Sequence, residues 1–378
     1  MPISLEQVQE IFRSEQGATV VSPDQVPGSY EQLTVEWLTS VIARNHPEAE
    51  VVGFALGEPD DGSSNRRRIH FDYNDAGQAA SLPSTVFCKA ASTVNTRLML
   101  AVSETSRGEV NFYNTVRDRL NIRAPRVLYA GYDPRTYAYF VMMEDLGGVV
   151  TFVDENHVTT RAQAESMVET LAELHSSFYE HRELRALPFP AWPEFWPPIL
   201  KSWEPACTLA ATDSMDLMPA RVRERRDEIW PATLAAVEAQ VRLPQSLVHS
   251  DVHLRNWFLG PDGKMGLYDW QIVAVGNWSR DFAYAITTAL TTENRRKWEA
   301  DLLALYLEMM ADRGVPGLSL DEARRNISQQ LLSALAFWTI TLRPMPGMPD
   351  MQPESASLTF LERFYAAIDD HSSLNTVG

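Results

Sequence analysis

Cysteine is scarce in this sequence. Its 378 residues include two cysteines, Cys88 and Cys207, which lie far apart and form no Cys-x-x-Cys pair. This spacing excludes a disulfide framework and a cysteine-based zinc site. No apolar run approaches the roughly 18 residues of a membrane-spanning helix, and the start, MPISLEQVQEIF, lacks the basic residues and apolar run of a secretory signal. We therefore expect a cytoplasmic protein with reduced cysteines and no membrane partner.

Basic residues are fewer than acidic residues in this sequence. The sequence has 33 Lys and Arg residues against 50 Asp and Glu residues, which gives a net charge of −17. Such a surface repels a polyphosphate chain, so nucleic acid is not expected as a partner. The excess of acidic residues does not by itself indicate a cationic substrate, because many proteins are acidic for solubility. Nothing in the composition predicts the oligomeric state.

Length and periodicity predict two lobes. A chain of 378 residues is longer than one hydrophobic core usually serves. The first part predicts a helix over residues 31–44, an antiparallel meander of three strands, a helix over residues 104–120 and a hairpin around the turn 133–135. The predicted strands of this part cover residues 50–56, 67–73, 85–90, 126–131 and 137–143.

The later part of the sequence is predominantly helical. A change of pattern near Leu146 places the lobe boundary there, so the predicted domains are residues 1–145 and 146–378. Strands are predicted at residues 257–259 and 265–268, and Pro231 is expected to kink or split the helix in which it lies. The predicted helices cover residues 161–179, 220–241, 281–290, 294–312, 320–342 and 357–367. The fold class is therefore α+β, with a small N-terminal lobe of antiparallel sheet plus helix and a larger, mainly helical C-terminal lobe.

A polar motif lies between two of these helices. Residues 249–256 are HSDVHLRN, and Asp269 follows 13 positions after Asn256. Two histidines spaced like His249 and His253 arise by chance about 0.17 times in such a chain, but adding the acidic residue and the Asn lowers this expectation to roughly 0.001. Apolar residues flank the motif, which predicts a loop between buried segments, where functional residues often lie.

This motif resembles that of the aminoglycoside phosphotransferase and choline kinase superfamily, and more closely that of its ecdysteroid-kinase-like branch. The resemblance extends over residues 52–289 of the sequence. The resemblance implies a bilobal protein-kinase-like fold and a small-molecule kinase that uses ATP and Mg²⁺. It implies that Asp251 orients the acceptor hydroxyl and accepts its proton as catalytic base, while Asn256 and Asp269 hold Mg²⁺. These residue types suit phosphoryl transfer, which needs positioning and charge neutralisation more than a strong base.

The resemblance also assigns the N-terminal lobe to nucleotide binding. Lys89 ends an apolar strand, from which its ammonium group would reach the α- and β-phosphates. Glu109, on the next predicted helix, would be its ion-pair partner. The segment that contains Met143, Glu144 and Leu146 resembles the family's hinge, whose backbone would pair with adenine.

The phosphate-binding turn has the weakest sequence signal. No Gly-x-Gly-x-x-Gly sequence is present, and the resemblance places the turn between the first two predicted strands. Small residues there would let backbone N–H groups approach phosphate oxygens. A plain hairpin turn is an open alternative. The residues of this turn are Gly62, Ser63, Ser64 and Asn65.

Two residues of the motif and one later residue are assigned structural roles. We expect the rings of His249 and His253 to hydrogen-bond to the backbone and so hold the shape of the loop. Asp281 stands where a helix is predicted to begin, and its carboxylate would complement the helix dipole and brace the catalytic loop.

A segment rich in tryptophan and proline is the candidate for the acceptor pocket. Trp192, Trp196 and Trp203 lie among five prolines, which are expected to prevent a regular helix. The segment would then form an aromatic wall over the catalytic loop, and the acceptor would be an apolar hydroxylated compound rather than an aminoglycoside. The alternative is that these tryptophans pack the core of the larger lobe.

Two other functions remain open at this point. One is a metal-dependent hydrolase in which His249, Asp251 and His253 bind the metal. Such a hydrolase leaves Lys89, Glu109 and Asn256 without roles. The other is a catalytically silent kinase-like binding module, although no expected catalytic residue is missing from the sequence.

Overall fold

The chain folds into two units. The computed structural model describes residues 3–315, 317–346, 348 and 350–376. The first unit consists of Met1–Asp118 and Pro125–Gly148, and the second consists of Arg119–Ala124 and Val149–Gly378. Each unit has its own hydrophobic core, around residues such as Trp37 in the first and Trp192 in the second.

The first unit is an antiparallel sheet with helices. In chain order its elements are α1 (Leu5–Ser14), α2 (Val35–Ile42), β1 (Val51–Leu56), β2 (Asp60–Asp61), β3 (Asn65–Tyr73), α3 (Asp75–Ala79), β4 (Thr85–Ala90), α4 (Val94–Ser103), α5 (Thr105–Asn111), β5 (Val127–Tyr132) and β6 (Tyr139–Glu144). The strand order is β1-β3-β4-β6-β5, with β2 paired to β3. The predicted meander is confirmed by β1, β3 and β4, and the predicted hairpin is confirmed by β5 and β6.

The sequence pattern does not predict the helices α1, α3 and α4 of this unit. In α1 the only buried residue is Val8, so the helix shows little of a core-facing apolar stripe, although Ser4 and Gln7 form a capping box at its start. The helix α4 begins after the N-cap Thr93 and mixes buried polar with buried apolar residues. The helix predicted over residues 104–120 is present as α5, followed by a π-helical segment at Phe112–Val116 and a 3₁₀ turn at Arg117–Arg119.

The second unit is mainly helical, as predicted. Its elements are β7 (Thr151–Phe152), α6 (Arg161–Phe178), α7 (Trp192–Asp213), α8 (Ala220–Glu224), α9 (Arg226–Ala239), β8 (Ser246–Val248), β9 (Trp257–Leu259), β10 (Met265–Leu267), β11 (Ala274–Gly276), α10 (Trp278–Ala289), α11 (Thr292–Asp312), α12 (Leu320–Leu342) and α13 (Glu354–Asp370). Short strand pairs join β8 to β11 and β9 to both β7 and β10. Among the described residues, no helix combines the length and apolarity needed to cross a membrane.

Two predictions in this unit concern prolines. The helix predicted over residues 220–241 is split at Arg225, whereas Pro231 lies inside α9. The segment expected to be irregular forms the helix α7, because Pro193 occupies the first turn, where a backbone N–H has no helical partner. Pro197, Pro198 and Pro205 are also inside α7. Packing of one apolar face offsets the hydrogen bonds that these prolines remove; its buried residues are Trp192, Trp196, Leu200 and Trp203.

Candidate active site

Strand pairing brings Asn256, the last residue of the polar motif, close in space to Asp269. β9 and β10 pair antiparallel with Trp257 opposite Leu267. Beyond that pair, the backbone N–H of Tyr268 donates to the carbonyl of Asn256 at 3.0 Å. Asn256 and Asp269 therefore lie at the same end of this hairpin, although Asp269 follows 13 positions after Asn256 in sequence.

The carboxylate of Asp251 is held by three side chains. Asn256 Nδ2 donates to the carbonyl oxygen of Asp251 at 2.7 Å and to its Oδ2 at 3.2 Å. Tyr284 donates its hydroxyl hydrogen to Oδ1 at 3.2 Å, and His253 Nε2 lies 3.5 Å from Oδ2. About a quarter of the side chain, 27%, remains exposed. The carboxylate is therefore fixed in direction and still accessible.

The surroundings favour the ionised form of Asp251. Burial raises the pKa of this carboxyl group, but His253, through its charge and hydrogen bond, and the charge of Arg280 outweigh burial and leave the pKa below its ordinary value of 3.8. Asp251 is consequently a carboxylate at neutral pH. It can accept a hydrogen bond from a hydroxyl group and direct that oxygen.

The two histidines of the motif differ. His249 Nδ1 accepts from the N–H of Asp251 at 3.2 Å, and its Nε2 lies 3.1 Å from the carbonyl oxygen of Tyr268, so the predicted bonds to the backbone are confirmed. The prediction is wrong for His253, whose ring faces the Asp251 carboxylate and packs edge-on against Trp338 at 5.2 Å. This packing was not visible in the sequence because Trp338 is distant along the chain.

The geometry of His249 disfavours the hydrolase alternative. Burial lowers the pKa of His249, so the ring is neutral, and both ring nitrogens are engaged by the backbone. No nitrogen lone pair of this ring is left for a metal ion. Across the described ranges, no group of three or more His, Cys, Asp or Glu side chains has an arrangement that could hold a metal ion.

Asp281 braces the loop of residues 249–256, as predicted. It lies in the first turns of α10, where its two carboxylate oxygens accept hydrogen bonds from the N–H of His249 at 2.7 Å and from the N–H of Ser250 at 3.0 Å. His175 Nε2 lies 3.4 Å from the same carboxylate. Burial raises the pKa of Asp281, but the hydrogen bond from His175 and nearby charges outweigh it and keep the pKa below its ordinary value. Asp281 is therefore an ionised brace.

Two residues of the site have left-handed backbone conformations. Ser250 has φ +72° and Asp269 has φ +65°. Residues with a Cβ rarely adopt this backbone region, and surrounding contacts must hold those that do. Such residues often lie at functional sites. The strain therefore falls on the residue before Asp251 and on the second candidate metal ligand.

Sequence reasoning missed Arg280 and Tyr284. Tyr284 hydrogen-bonds to Asp251, and Arg280 Nη1 donates to the carbonyl oxygen of Ser250. A signal was available: Tyr284 lies three residues after Asp281, on a neighbouring part of the same helix surface. Once Asp281 was expected to face the loop, Tyr284 was a further candidate.

In the first unit, Lys89 and Glu109 form a buried ion pair. Lys89 Nζ lies 2.9 Å from Glu109 Oε1, and the Tyr139 hydroxyl donates to Glu109 Oε2. Glu109 is on α5, the second helix after the strand of Lys89 and not the next one, because α4 intervenes. Since both side chains are almost fully buried, each holds the other in a single direction.

The predicted phosphate turn is the tip of a hairpin. β2 and β3 pair antiparallel, and the N–H of Gly62 donates to the carbonyl of Ser64 at 3.0 Å. The Asn65 side chain is used inside the unit: its Oδ1 accepts from the N–H groups of Ser92 at 2.8 Å and Thr93 at 3.2 Å. The Asn65 side chain therefore has a structural role within the unit.

The predicted hinge lies at the end of β6. Met143 is buried and pairs with Phe87 of β4. The N–H of Glu144 donates to the carbonyl of Arg126 at 2.9 Å. The N–H of Leu146 makes no hydrogen bond with the described part of the chain. Of the three hinge residues, Leu146 thus presents a backbone donor that a ligand can use.

The tryptophan-rich segment packs the core of the second unit. Trp192, Trp196 and Trp203 are 8% exposed or less, and Trp192 stacks on Trp196 at 5.2 Å. The predicted aromatic wall is therefore wrong for these three side chains. Other apolar residues are half-buried against the same cluster; they include Phe195, Ile199, Ile272, Phe337, Met345, Met348 and Met351.

Comparison with known proteins agrees with this architecture. The model of the phosphotransferase enzyme family matches residues 91–318, more than half of the chain. A solved structure described as an aminoglycoside phosphotransferase from Ralstonia eutropha JMP134 is similar, with a TM-score of 0.51, 14% identity and coverage of 89% of this chain and 97% of that one. The GDP complex of wild-type aminoglycoside 2′-phosphotransferase-IIIa has a TM-score of 0.50, 14% identity and coverage of 87% and 97%. At this identity the likeness establishes the fold, which is α+β, bilobal and protein-kinase-like.

A comparison of the sequence with curated proteins returned no significant match. The superfamily named from the motif is confirmed by the family match. The ecdysteroid-kinase-like branch stays a prediction.

Proposed function

Because the chain belongs to the phosphotransferase enzyme family, we propose that it transfers the γ-phosphate of ATP to a hydroxyl group of a small molecule. The observation that carries this proposal is the loop of residues 249–256. It presents an ionised, accessible carboxylate at Asp251 next to a hairpin that ends in Asn256 and Asp269.

Asp251 is the proposed catalytic base. Its oxygens accept hydrogen bonds from Asn256 and Tyr284, so its direction is set before an acceptor arrives. A hydroxyl group that donates to this carboxylate would be oriented for in-line attack on the γ-phosphate of ATP. As its oxygen bonds to phosphorus, the bond to the leaving ADP would break and the proton would pass to Asp251. The low pKa is compatible with this role, since orientation matters more than basicity in a loose transition state.

Asn256 and Asp269 are the proposed ligands of Mg²⁺. The Asn256 amide nitrogen already donates twice to Asp251, which leaves its amide oxygen as the atom available for a cation. Asp269 supplies carboxylate oxygen at the same end of the hairpin. Two protein ligands suit Mg²⁺, which completes its coordination with water and phosphate oxygens. When bound, Mg²⁺ neutralises charge on the transferring phosphoryl group.

Residues 1–145 are the proposed nucleotide-binding lobe, and residues 146–378 the proposed catalytic lobe. Lys89, held by Glu109, would bind the phosphates. The turn Ser63-Ser64-Asn65 would offer backbone N–H groups to phosphate oxygens. The backbone of Met143, Glu144 and Leu146 would pair with adenine. This is supported by the N–H of Leu146, which makes no hydrogen bond with the described part of the chain.

The proposed acceptor is an apolar hydroxylated compound rather than an aminoglycoside. Phe337 and the three methionines of residues 345–351 give an apolar, adaptable surface on the buried tryptophan cluster. Two carboxylates near this segment are already paired: Glu155 accepts from Arg255 at 2.6 Å, and Glu354 accepts from Arg343 at 3.2 Å. Paired carboxylates are poor partners for a polycationic sugar.

The test is an acceptor screen with the purified protein. Mg²⁺-ATP is supplied with aminoglycosides, sterols, aromatic alcohols, amino alcohols and hydroxyacyl thioesters, and phosphate transfer is followed by mass spectrometry of the product. We expect transfer to at least one apolar alcohol and weaker transfer to aminoglycosides. Nucleotide binding without transfer to any acceptor would favour a silent binding module, and bound zinc in place of nucleotide would refute the kinase assignment.

A further inference from the structure

Arg280 is a buried cation with few polar partners. It lies on α10, its side chain is fully buried, and Nη1 donates to the carbonyl oxygen of Ser250. Its Nε and Nη2 have no hydrogen-bond partner in the described part of the chain. The nearest acidic oxygen is 3.9 Å away on Asp281, and that carboxylate already accepts from two backbone N–H groups.

Aromatic rings take the place of polar partners around Arg280. The guanidinium carbon lies 4.1 Å from the centre of the Trp192 ring, 4.8 Å from that of Phe337 and 5.4 Å from that of Tyr284. Such cation–π contacts stabilise a desolvated cation in part. A buried charge without a full set of hydrogen bonds is nevertheless costly, and an apolar residue of similar size would often be tolerated as well or better. Fold stability alone therefore does not explain an arginine here.

Another buried arginine of the same unit shows the difference. Arg295 on α11 donates to Glu299 at 2.8 Å and also donates to Asp370. Two carboxylates compensate its charge, as expected for an arginine that stabilises the fold. Arg280 instead directs its one hydrogen bond to the backbone of the catalytic loop.

Ser250 is held at each of its polar atoms. Its N–H donates to Asp281 Oδ1 at 3.0 Å, its carbonyl oxygen accepts from Arg280, and its hydroxyl oxygen accepts from Trp192 Nε1 at 2.8 Å. Because φ is +72°, the conformation is unfavourable for a residue with a Cβ and depends on such contacts. The orientation of the next residue, Asp251, follows from it.

Trp192 is itself anchored from the other side. It begins α7, and the preceding residue, Ala191, bridges to Val275 of β11. The N–H of Val275 also donates to the carbonyl of Pro190 at 2.8 Å. Since β11 pairs with β8, which ends directly before the loop, the Trp192 indole is fixed relative to the residue that it binds.

We propose that Arg280 and Trp192 are positioning residues for Asp251: by clamping the carbonyl and hydroxyl oxygens of Ser250, they hold the left-handed backbone that aims the Asp251 carboxylate at the acceptor hydroxyl. This inference rests on the proposed function. Neither residue touches nucleotide or acceptor in this scheme. Their loss should therefore lower kcat, with little change in KM for ATP.

The first test compares Arg280→Met with Arg295→Met, using an acceptor found in the screen. We expect Arg280→Met to lower kcat about 100-fold, because small misplacements of a reacting group have effects of this size, and to leave KM for ATP within about twofold. Arg295→Met should instead lower Tm more than Arg280→Met does and retain the kcat of the folded protein. If Arg280 has only a structural role, Arg280→Met should lower Tm more than Arg295→Met does and should retain the kcat of the folded protein.

The second test removes one hydrogen bond, from Trp192 Nε1 to the Ser250 hydroxyl oxygen, and covers the case in which Arg280→Met does not fold. Trp192→Phe keeps an aromatic ring against Arg280 and removes the indole N–H, while Ser250→Ala removes the other partner of the same bond. Each change should lower kcat about 10-fold, and the double variant should be no slower than the slower single variant, because both remove one interaction. Trp230→Phe is the control, since Trp230 Nε1 has no hydrogen-bond partner in the described residues.

The outcomes separate the inference from the function on which it rests. If the wild-type protein transfers phosphate but Arg280→Met and Trp192→Phe keep kcat within threefold of it, the positioning role is refuted and the kinase assignment stands. Additive losses in the double variant would also refute it. If the wild-type protein transfers no phosphate, the proposed function fails, and the positioning role fails with it.

Discussion

The two units present their candidate residues in different ways. In the second unit, Asp251, Asn256 and Asp281 act through side chains, each with partners from another part of the unit or the loop. In the first unit, apart from the Lys89–Glu109 pair, the candidates offer backbone groups of a turn and of a strand end. Substitutions should therefore affect the chemical step through the second unit and nucleotide affinity through the first.

The largest expected effect is that of Asp251→Asn. The amide cannot accept the hydroxyl proton, so kcat should fall about 10³-fold, within the range expected for loss of a general base. Nucleotide affinity, measured by calorimetry with ADP, should change little. Asp216→Asn, the same chemical change at an exposed position, is the control. Wild-type turnover in Asp251→Asn would refute the proposal that the second unit acts through the Asp251 side chain.

The next effect is that of Glu109→Gln in the first unit. The change removes the carboxylate 2.9 Å from Lys89, and the loss of a charge-assisted hydrogen bond should raise KM for ATP about 10- to 100-fold. The effect on kcat should be smaller. Glu36→Gln, at an exposed position on α2, serves as control. A large fall in kcat with KM unchanged would contradict the division of roles between the units.

The smallest effect on catalysis is expected for Asn65→Ala. The Asn65 side chain accepts from the N–H groups of Ser92 and Thr93, so its loss should reduce the free energy of unfolding by about 1–3 kcal/mol. KM for ATP of the folded variant should stay close to that of the wild type, because the backbone N–H remains. Denaturant unfolding and steady-state kinetics measure the two quantities. A rise in KM without loss of stability would instead place this side chain on the phosphates.

Local patterns in the sequence were sufficient for much of the fold. Strand β4 was predicted at its exact bounds, residues 85–90, because apolar residues and flanking breakers delimit it. The hairpin that joins Asn256 to Asp269 followed from two short apolar runs around a polar turn. The bracing role of Asp281 followed from its place at a helix start. In each case the responsible interaction is short in range or encoded in residue type.

Failures came where distant residues decide the outcome. The prolines of α7 were expected to break a helix, but one face of buried tryptophans packs well enough to retain it. The structural use of the Asn65 side chain was not predicted, because its partners lie 27 and 28 positions later. Helix propensity and residue type give preferences of a few kcal/mol at most, and core packing can exceed them.

The sequence by itself determined which groups carry the proposed chemistry, because the loop motif and Asp269 combine residue types and a spacing that rarely arise by chance. Only the tertiary structure decided how Asp251 is aimed. The clamp on Ser250 joins Trp192, 58 positions earlier, to Arg280, 30 positions later. No local pattern encodes such contacts, since they exist only once α7 and α10 pack beside the loop.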